Sequence, residues 1–271
     1  MPQSRKVWGA AKPLIGVVHL QPLPGSPGYR GSMQAILRRA LDDASAYLEG
    51  GMHGLLLENF GDHPFFRDEV PAETIAAMGV VAGEIRRLGR FALGVNVLRA
   101  AGLAAMAVAA AAEAQFVRVN VLSGAMLTDQ GVIQGRAAEI MRLRSRLGAA
   151  VEVWADVLVK HAVPLAPVDP VSAALDLKER AMADAIIVTG PRTGRAADAK
   201  LLEHLRAEVT GIPWIVGSGI RTGGLERFWR IADGFIVGTA LERGGRSGAP
   251  VDRSRVRKLV AEHRRLAKEA R

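Results

Sequence analysis

Phe116-Val117-Arg118-Val119-Asn120 is the stretch that decides the fold. A strand covered on both faces is typically a continuous hydrophobic run, and this run is followed by the polar side chain of Asn120. Polar residues or glycine follow apolar runs in the same way at eight places, so one end of a sheet is chemically distinctive. The eight runs are residues 14–18, 54–57, 92–95, 116–119, 151–155, 185–188, 214–216 and 235–237.

Amphipathic segments rich in alanine and arginine separate these runs, and a strand–helix repeat is typical of a parallel sheet. They cover residues 33–49, 71–88, 103–112, 136–147, 170–182, 197–209 and 225–231. We predict an α/β fold, a single (β/α)8 TIM-barrel domain over residues 1–271, with its active end at the C-terminal ends of the strands. The alternative is an open doubly wound sheet. The eighth run and the lack of a glycine-rich dinucleotide loop after the first run favour closure.

The composition narrows the class of protein. The chain has 271 residues, no cysteine and a net charge of +9. No apolar stretch approaches the roughly 20 residues that span a bilayer, and cysteine is absent, so we expect a cytoplasmic protein without disulfides. Trp, Tyr and Phe total only 13 residues, too few to indicate base stacking, so we expect no nucleic acid as a partner. The positive charge is densest in residues 253–271, where an apolar stripe docks and a basic face is exposed. That face is solvated or makes peripheral contact with a membrane. We also expect a homo-oligomer.

Residues that can transfer protons follow the fifth run. Asp156, Lys160 and His161 bring a carboxylate, an amine and an imidazole within six positions, where each can shift the others' pKa values. We predict that Asp156 and His161 share acid–base work, that Lys160 stabilises developing negative charge, and that Glu58 assists. The predicted substrate-binding residues are His19, Asn59, Asn96, Arg118, Asn120, Asp129 and Thr189.

Arg118 lies inside a strand and therefore needs a carboxylate partner, because an unpaired buried ion costs several kcal/mol. Glu58, Asp156 and Glu152 are the candidates. For Arg118 and Glu152 the alternative to a functional role is a buried ion pair that holds the barrel together.

Two glycine-containing turns predict a phosphate site. Gly217-Ser218-Gly219 follows the seventh run and Gly238-Thr239 follows the eighth. Glycine lets backbone N–H groups approach an anion, and the loops after strands seven and eight hold a phosphate in many barrels. Thr193-Gly194 adds a hydroxyl beside them. No cofactor is predicted. A divalent metal is the open alternative, with His19, Glu58, Asp156 and His161 as donors, although no metal-binding spacing supports it.

Two segments are longer than a connection requires. Residues 21–31 are rich in proline and glycine, and residues 121–135 hold Asp129 between two glycines. Long loops at the active end of a barrel are often lids or binding loops, so we expect both to cover the site. The alternative for each is an ordinary surface loop.

An ordered set of motifs resembles the BtpA/SgcQ family over nearly the whole chain. The matching stretches are residues 16–20 with 22–27, 58–62 with 64–65, 94–99, 116–122, 128–131, 155–157 with 160–161, 217–219 and 238–239. The resemblance implies a branch of the ribulose-phosphate-binding barrels and so supports the phosphate site. The family's name comes from a role in the accumulation of photosystem I. Sugar or nucleoside processing is suspected for its members.

The chain departs from that family's pattern at two places. Ala100-Ala101 stands where the family usually has Asn-Asp, and Glu242 stands where a lysine usually follows the last strand. The expected function is the binding and processing of a small phosphorylated sugar or nucleoside-like metabolite. The alternative is a non-catalytic assembly or regulatory factor at a membrane that uses the barrel as a ligand sensor.

Overall fold

The computed structural model describes residues 12–190 and 197–270, and its strands are numbered in chain order. They are β1 (Leu14–His19), β2 (Gly54–Glu58), β3 (Ala92–Asn96), β4 (Phe116–Val119), β5 (Ala125–Thr128), β6 (Gly131–Gln134), β7 (Glu152–Val157), β8 (Ala162–Pro164), β9 (Ala185–Val188), β10 (Trp214–Val216) and β11 (Gly234–Val237). Eight of them close a barrel in the order β1-β11-β10-β9-β7-β4-β3-β2. Every pairing around the barrel is parallel, which confirms the predicted (β/α)8 architecture.

Helices cover the outside of the barrel. They are α1 (Met33–Glu49), α2 (Ala72–Arg86), α3 (Gly102–Ala111), α4 (Ala137–Arg146), α5 (Pro170–Leu175), α6 (Ala199–Glu208) and α7 (Arg253–Glu269). The predicted apolar stripe of α7 is confirmed, since Val256, Leu259, Val260, His263 and Leu266 are all buried. Within the described ranges, no helix combines the length and the apolar character needed to cross a membrane.

The barrel interior is filled by side chains that alternate along the strands. Phe116 of β4 and Trp154 of β7 stack with their ring centroids 4.2 Å apart. A Cβ at Gly94 would lie 2.1 Å from the Phe116 ring, so the neighbouring strand needs glycine to make room for it. The same alternation carries Arg118 and Asp156 inward one layer above the aromatic rings, towards the C-terminal ends of the strands. The interior is therefore apolar below and charged above.

Two segments differ from the prediction. Residues 225–231 hold only a 3-10 turn, Glu226–Phe228, instead of a helix. Glu262 of α7 accepts the amides of Gly223 and Leu225 and so fixes the start of this short connection. Residues 121–135 form the hairpin β5–β6, and β5 also pairs antiparallel with β8. The expected long loop is therefore a small outer sheet, because both halves of the segment find strand partners.

Candidate functional site

A cavity of about 550 Å³ opens at the C-terminal ends of the barrel strands. His19, Glu58, Arg118 and Lys160 line one part of it, and the turns that follow β10 and β11 line the rest. Five polar residues lie at or near the C-terminal ends of the barrel strands on this side: Asn59, Asn96, Asn120, Asp156 and Ser218. A cavity of this size at this end of the barrel is typical of a small-molecule site.

Arg118 finds its carboxylate partner in Asp156, on the adjacent strand. Its Nε and Nη2 donate to the two oxygens at 3.2 and 2.9 Å, and Asn120 Nδ2 donates to Asp156 Oδ2 at 2.7 Å. Both charged side chains are almost fully buried. Burial lowers the pKa of Arg118, and the carboxylates of Asp156 and Glu58 more than offset that effect, so the net shift is upward. Asp156 therefore neutralises a buried cation, and both of its carboxylate oxygens are engaged in hydrogen bonds within the fold.

His19 is held by Glu242, a residue that the sequence had marked only as a departure from the family's pattern. His19 Nδ1 lies 2.6 Å from Glu242 Oε1, and both side chains are buried. Glu242 Oε2 accepts the amide of Gly248 at 3.0 Å. A carboxylate accepts hydrogen bonds, so it places the proton on Nδ1 and leaves Nε2 as the ring nitrogen for exchange with a ligand. His19 also lines the cavity, so this pair can perform acid–base chemistry there.

Lys160 lies beyond the end of β7 and lines the same cavity. Arg99, which is buried, donates from Nη2 to the backbone carbonyl of Lys160 and so fixes this segment. Burial lowers the pKa of the Lys160 amine, and the Arg118 guanidinium lowers it further. The Glu58 and Asp156 carboxylates act in the opposite direction without reversing the shift.

Some groups of the predicted phosphate site are used within the fold, and others line the cavity. The Gly217 amide donates to Val188 O at 2.9 Å and so belongs to the barrel, which leaves it unavailable to an anion. Ser218 Oγ accepts the amide of Gly190 at 2.6 Å. Gly219 has a φ of 73°, a conformation that favours glycine. Together with Gly238 and Thr239 it lines the cavity, and the phosphate site stays a prediction.

Three further cations line the mouth of the cavity beside these turns: Arg221, Arg255 and Lys258. Arg255 and Lys258 belong to the first turns of α7, whose basic face was expected to be solvated or to contact a membrane. Arg255 Nη1 donates to the carbonyl of Ala240 at 3.0 Å and is thereby held against the turn after β11. Part of the basic face of α7 is therefore directed to the cavity.

Several buried polar atoms near this end of the barrel have no hydrogen-bond partner in residues 12–190 and 197–270. They are Asn96 Nδ2, Arg99 Nε, Asn120 Oδ1 and Thr189 Oγ1. Thr189 is close to the turn after β10, since a Cβ at Gly217 would lie 3.2 Å from Thr189 Cγ2. Buried polar groups are normally satisfied, and exceptions concentrate where a ligand or water completes the network. These atoms are consistent with a polar ligand.

Other predicted residues lie outside this arrangement. The Asn59 amide is used in the fold, because Nδ2 donates to Asp62 at 3.0 Å and Oδ1 accepts the Leu98 amide at 2.7 Å. Asp129 is exposed at the tip of the β5–β6 hairpin, and His161 is exposed with a φ of 57°. The predicted sharing of acid–base work by Asp156 and His161 stays a prediction. Thr193-Gly194 lies outside the described residues.

Glu152 was a candidate partner of Arg118, and the structure gives it another contact. It begins β7, at the end of the barrel opposite the cavity, and its Oε2 accepts Trp154 Nε1 at 2.9 Å. Burial raises the pKa of the Glu152 carboxyl. In the part of the chain that is described, no three His, Asp or Glu side chains are grouped closely enough to hold a metal ion, so the proposed metal donors do not form one cluster there.

Comparison with solved structures places the fold among TIM-barrel enzymes. Phosphoribosyl anthranilate isomerase from Thermus thermophilus is 16% identical with a TM-score of 0.56, and the match covers 94% of this chain and 99% of that one. A structure described as native KDPGal is 15% identical with a TM-score of 0.59, covering 96% and 98%. At these identities the likeness shows the fold alone.

Sequence comparison identifies the family. An uncharacterized protein from Thermococcus kodakarensis is 48% identical over 96% of this chain and 97% of its own length. The photosystem I biogenesis protein BtpA of Synechocystis is 39% identical over 92% of this chain and 86% of its own length. The family model described as BtpA family matches residues 10–265. The chain therefore belongs to the BtpA family.

Proposed function

We propose that this protein binds a small phosphorylated sugar or nucleoside-like metabolite at the C-terminal end of its barrel and processes it by acid–base chemistry. One observation carries the proposal. A single cavity is lined both by glycine turns and cations that suit a phosphate and by a histidine whose other ring nitrogen is fixed by a buried carboxylate.

The phosphate end of the ligand is assigned to the turns after β10 and β11. Gly219 and Gly238 offer backbone N–H groups, and the Thr239 hydroxyl lies beside them and shares a hydrogen bond of 2.7 Å with Ser247 Oγ. Arg221 and Lys258 add positive charge from the adjacent wall. Charge-assisted hydrogen bonds to phosphate oxygens are about twice as strong as neutral ones. This combination favours a dianionic group over an uncharged sugar.

Proton transfer is assigned to His19, with Glu242 as the residue that positions it. This replaces the sequence-based pairing of Asp156 with His161, because Asp156 is engaged by Arg118 and Asn120 while His19 lines the cavity. Glu58, which ends β2 and also lines the cavity, is assigned to sugar hydroxyls. Arg118 stabilises negative charge that develops on the substrate.

The experiment is a thermal-shift comparison of ribose 5-phosphate, ribose and inorganic phosphate, followed by mass-spectrometric assay of a panel of phosphorylated sugars and nucleosides for conversion. Ligand that binds only the folded state raises the apparent melting temperature by mass action. We expect ribose 5-phosphate and inorganic phosphate to stabilise the protein and ribose to have no effect. His19→Gln should retain that stabilisation and lose turnover. No phosphate-dependent stabilisation would refute the binding site, and full turnover by His19→Gln would refute the acid–base assignment.

The Synechocystis relative's name supports a second candidate, a non-catalytic biogenesis factor that senses a ligand. Both candidates require the cavity to bind its ligand, and they differ in whether the bound compound is converted. Binding that is saturable and selective for phosphate, with no conversion of any bound compound by the wild-type protein, favours the sensor. Conversion that depends on His19 favours the enzyme.

A further inference from the structure

Lys160 differs from the other cations at the end of the barrel. Arg118 has the carboxylate of Asp156, and the Arg99 guanidinium donates to the Lys160 carbonyl. Among the residues that the structure describes, no carboxylate oxygen lies within 4.0 Å of Lys160 Nζ, and no hydrogen bond is made by this amine. By contrast, Lys178 has Glu179 at 3.7 Å. The Lys160 amine is thus largely removed from solvent, has no charged or hydrogen-bonding partner in residues 12–190 and 197–270, and lines the cavity.

The surroundings of Lys160 favour a neutral amine. Burial lowers its pKa, and the guanidinium groups of Arg118 and Arg99 act in the same direction. A lysine with an ordinary pKa of about 10.4 is unprotonated in roughly one molecule in 2,500 at pH 7, and each unit of lowering increases that fraction about tenfold. A desolvated lysine beside other cations is the environment in which lysine acts as a nucleophile towards carbonyl groups.

We propose that Lys160 forms an imine with the carbonyl group of a small phosphorylated aldehyde or ketone held in this cavity. The proposal rests on the proposed function for its phosphate site and adds the substrate class. The nitrogen lone pair forms the new C–N bond, the carbonyl oxygen receives both protons of the amine, and that oxygen leaves as water. Protonation of the imine then makes it an electron sink for bond changes at the adjacent carbon.

The position of Lys160 relative to the phosphate site supports this chemistry. Lys160 follows β7, whereas the glycine turns follow β10 and β11, and all three border one cavity. A ligand with a phosphate at one end and a carbonyl at the other can therefore engage both groups at once. The buried polar atoms Asn120 Oδ1 and Thr189 Oγ1, which have no partner in the described residues, lie after the strands β4 and β9 that flank β7.

The test is reductive trapping of the full-length protein. Wild-type protein is incubated with glyceraldehyde 3-phosphate or dihydroxyacetone phosphate and cyanoborohydride at neutral pH, and the modified lysines are located and quantified by peptide mass mapping. We expect Lys160 to be modified at least about tenfold faster than Lys178, because a carbonyl compound whose phosphate is bound in the cavity is held beside the Lys160 amine. Inorganic phosphate should slow the modification of Lys160 and leave that of Lys178 unchanged.

Variants separate a specific imine from general reactivity. Lys160→Arg keeps the charge without a nucleophilic amine and should remove the adduct at this position, whereas Lys178→Arg should leave trapping at Lys160 unchanged. Absence of an adduct at Lys160, or a rate there equal to that at Lys178, would overturn the imine. If inorganic phosphate still stabilises the protein in either case, the phosphate site stands and only the imine fails. If phosphate neither stabilises the protein nor protects Lys160, the proposed function fails as well.

Discussion

Asp156→Asn is expected to lower the free energy of unfolding of the protein, because the carboxylate is the counterion of Arg118. Asp156 accepts two hydrogen bonds from the guanidinium and one from Asn120. An asparagine keeps the shape but removes the charge. Its amide group must also face a donor, either Arg118 or Asn120, because only one of its two terminal atoms accepts hydrogen bonds.

The magnitude depends on burial. The side chains of Arg118 and Asp156 are 3% and 0% exposed, so solvent cannot take over the role of the missing carboxylate. Removing one partner of a buried ion pair costs about 3–5 kcal/mol, because the other charge is left uncompensated. That loss is a large part of the roughly 5–15 kcal/mol that stabilises a typical folded protein. With Arg118→Met already in place, the same substitution should cost much less, since no buried cation remains.

Urea unfolding, followed by tryptophan fluorescence and circular dichroism, measures the free energy of unfolding for wild type, the two single variants and the double variant. We expect a coupling energy of about 2 kcal/mol or more between positions 118 and 156. Glu139→Gln, which removes a carboxylate from a solvent-exposed ion pair with Arg136, is the control and should leave stability nearly unchanged. A loss below about 1 kcal/mol for Asp156→Asn, with no coupling, would refute the structural role of this carboxylate.

Three further outcomes are expected. Burial, with nearby positive charge, lowers the pKa of His53 from 6.5 to about 4, so the folded state resists protonation. The contribution of His53 to the free energy of unfolding should therefore be fully present above pH 6.5 and should fall by about 1–2 kcal/mol as the pH drops towards 4, after allowance for screening of this partly exposed ring. In urea titrations, His53→Asn should make the free energy of unfolding depend less on pH over this range, and an unchanged dependence would contradict the assignment. Gly94→Ala should lower the free energy of unfolding by about 1–3 kcal/mol or more, because it forces a Cβ into the Phe116 ring. Gly79→Ala in helix α2, whose Cβ would meet nothing within 4 Å, should be neutral or stabilising. Equal melting temperatures for the two variants would contradict this expectation. Glu242→Ala should lower the free energy of unfolding by about 1–3 kcal/mol, because the buried His19 ring and the Gly248 amide lose their acceptor, and Glu242→Gln should lower it by less. An alanine variant as stable as wild type would contradict the positioning role of Glu242.

The strands and the active end of the barrel could be predicted from sequence because both depend on local patterns. The run from Phe116 to Val119 is apolar on both sides of one charged residue, and Asn120 marks its end. Alternation along the strand predicts that Arg118 points into the barrel, and this prediction requires no knowledge of residues that are distant in sequence. Burial of a charge then requires a carboxylate, and Asp156 was among the three candidates.

The contacts that define the site depend on residues that are distant in sequence, and local patterns do not encode them. Glu242 is 223 positions from His19, so the sequence indicates only a charge difference from the family's pattern. Lys258 belongs to a helix whose basic face suits solvent equally well, and only closure of the barrel brings its first turns to the cavity. The roles assigned to His161 and Asp129 came from their positions after a strand and in a long loop, and position alone does not fix where a side chain points.

Calorimetric titration of inorganic phosphate into wild-type protein, Lys258→Gln and Lys268→Gln tests the central claim most directly. Both substitutions remove one positive charge from exposed positions of helix α7, but only Lys258 lines the cavity. At constant ionic strength, wild type and Lys268→Gln should bind phosphate saturably with equal affinity. Lys258→Gln should bind about tenfold more weakly, the value of one charge-assisted hydrogen bond. The absence of saturable binding, or equal weakening by the two substitutions, would contradict a phosphate site in this cavity.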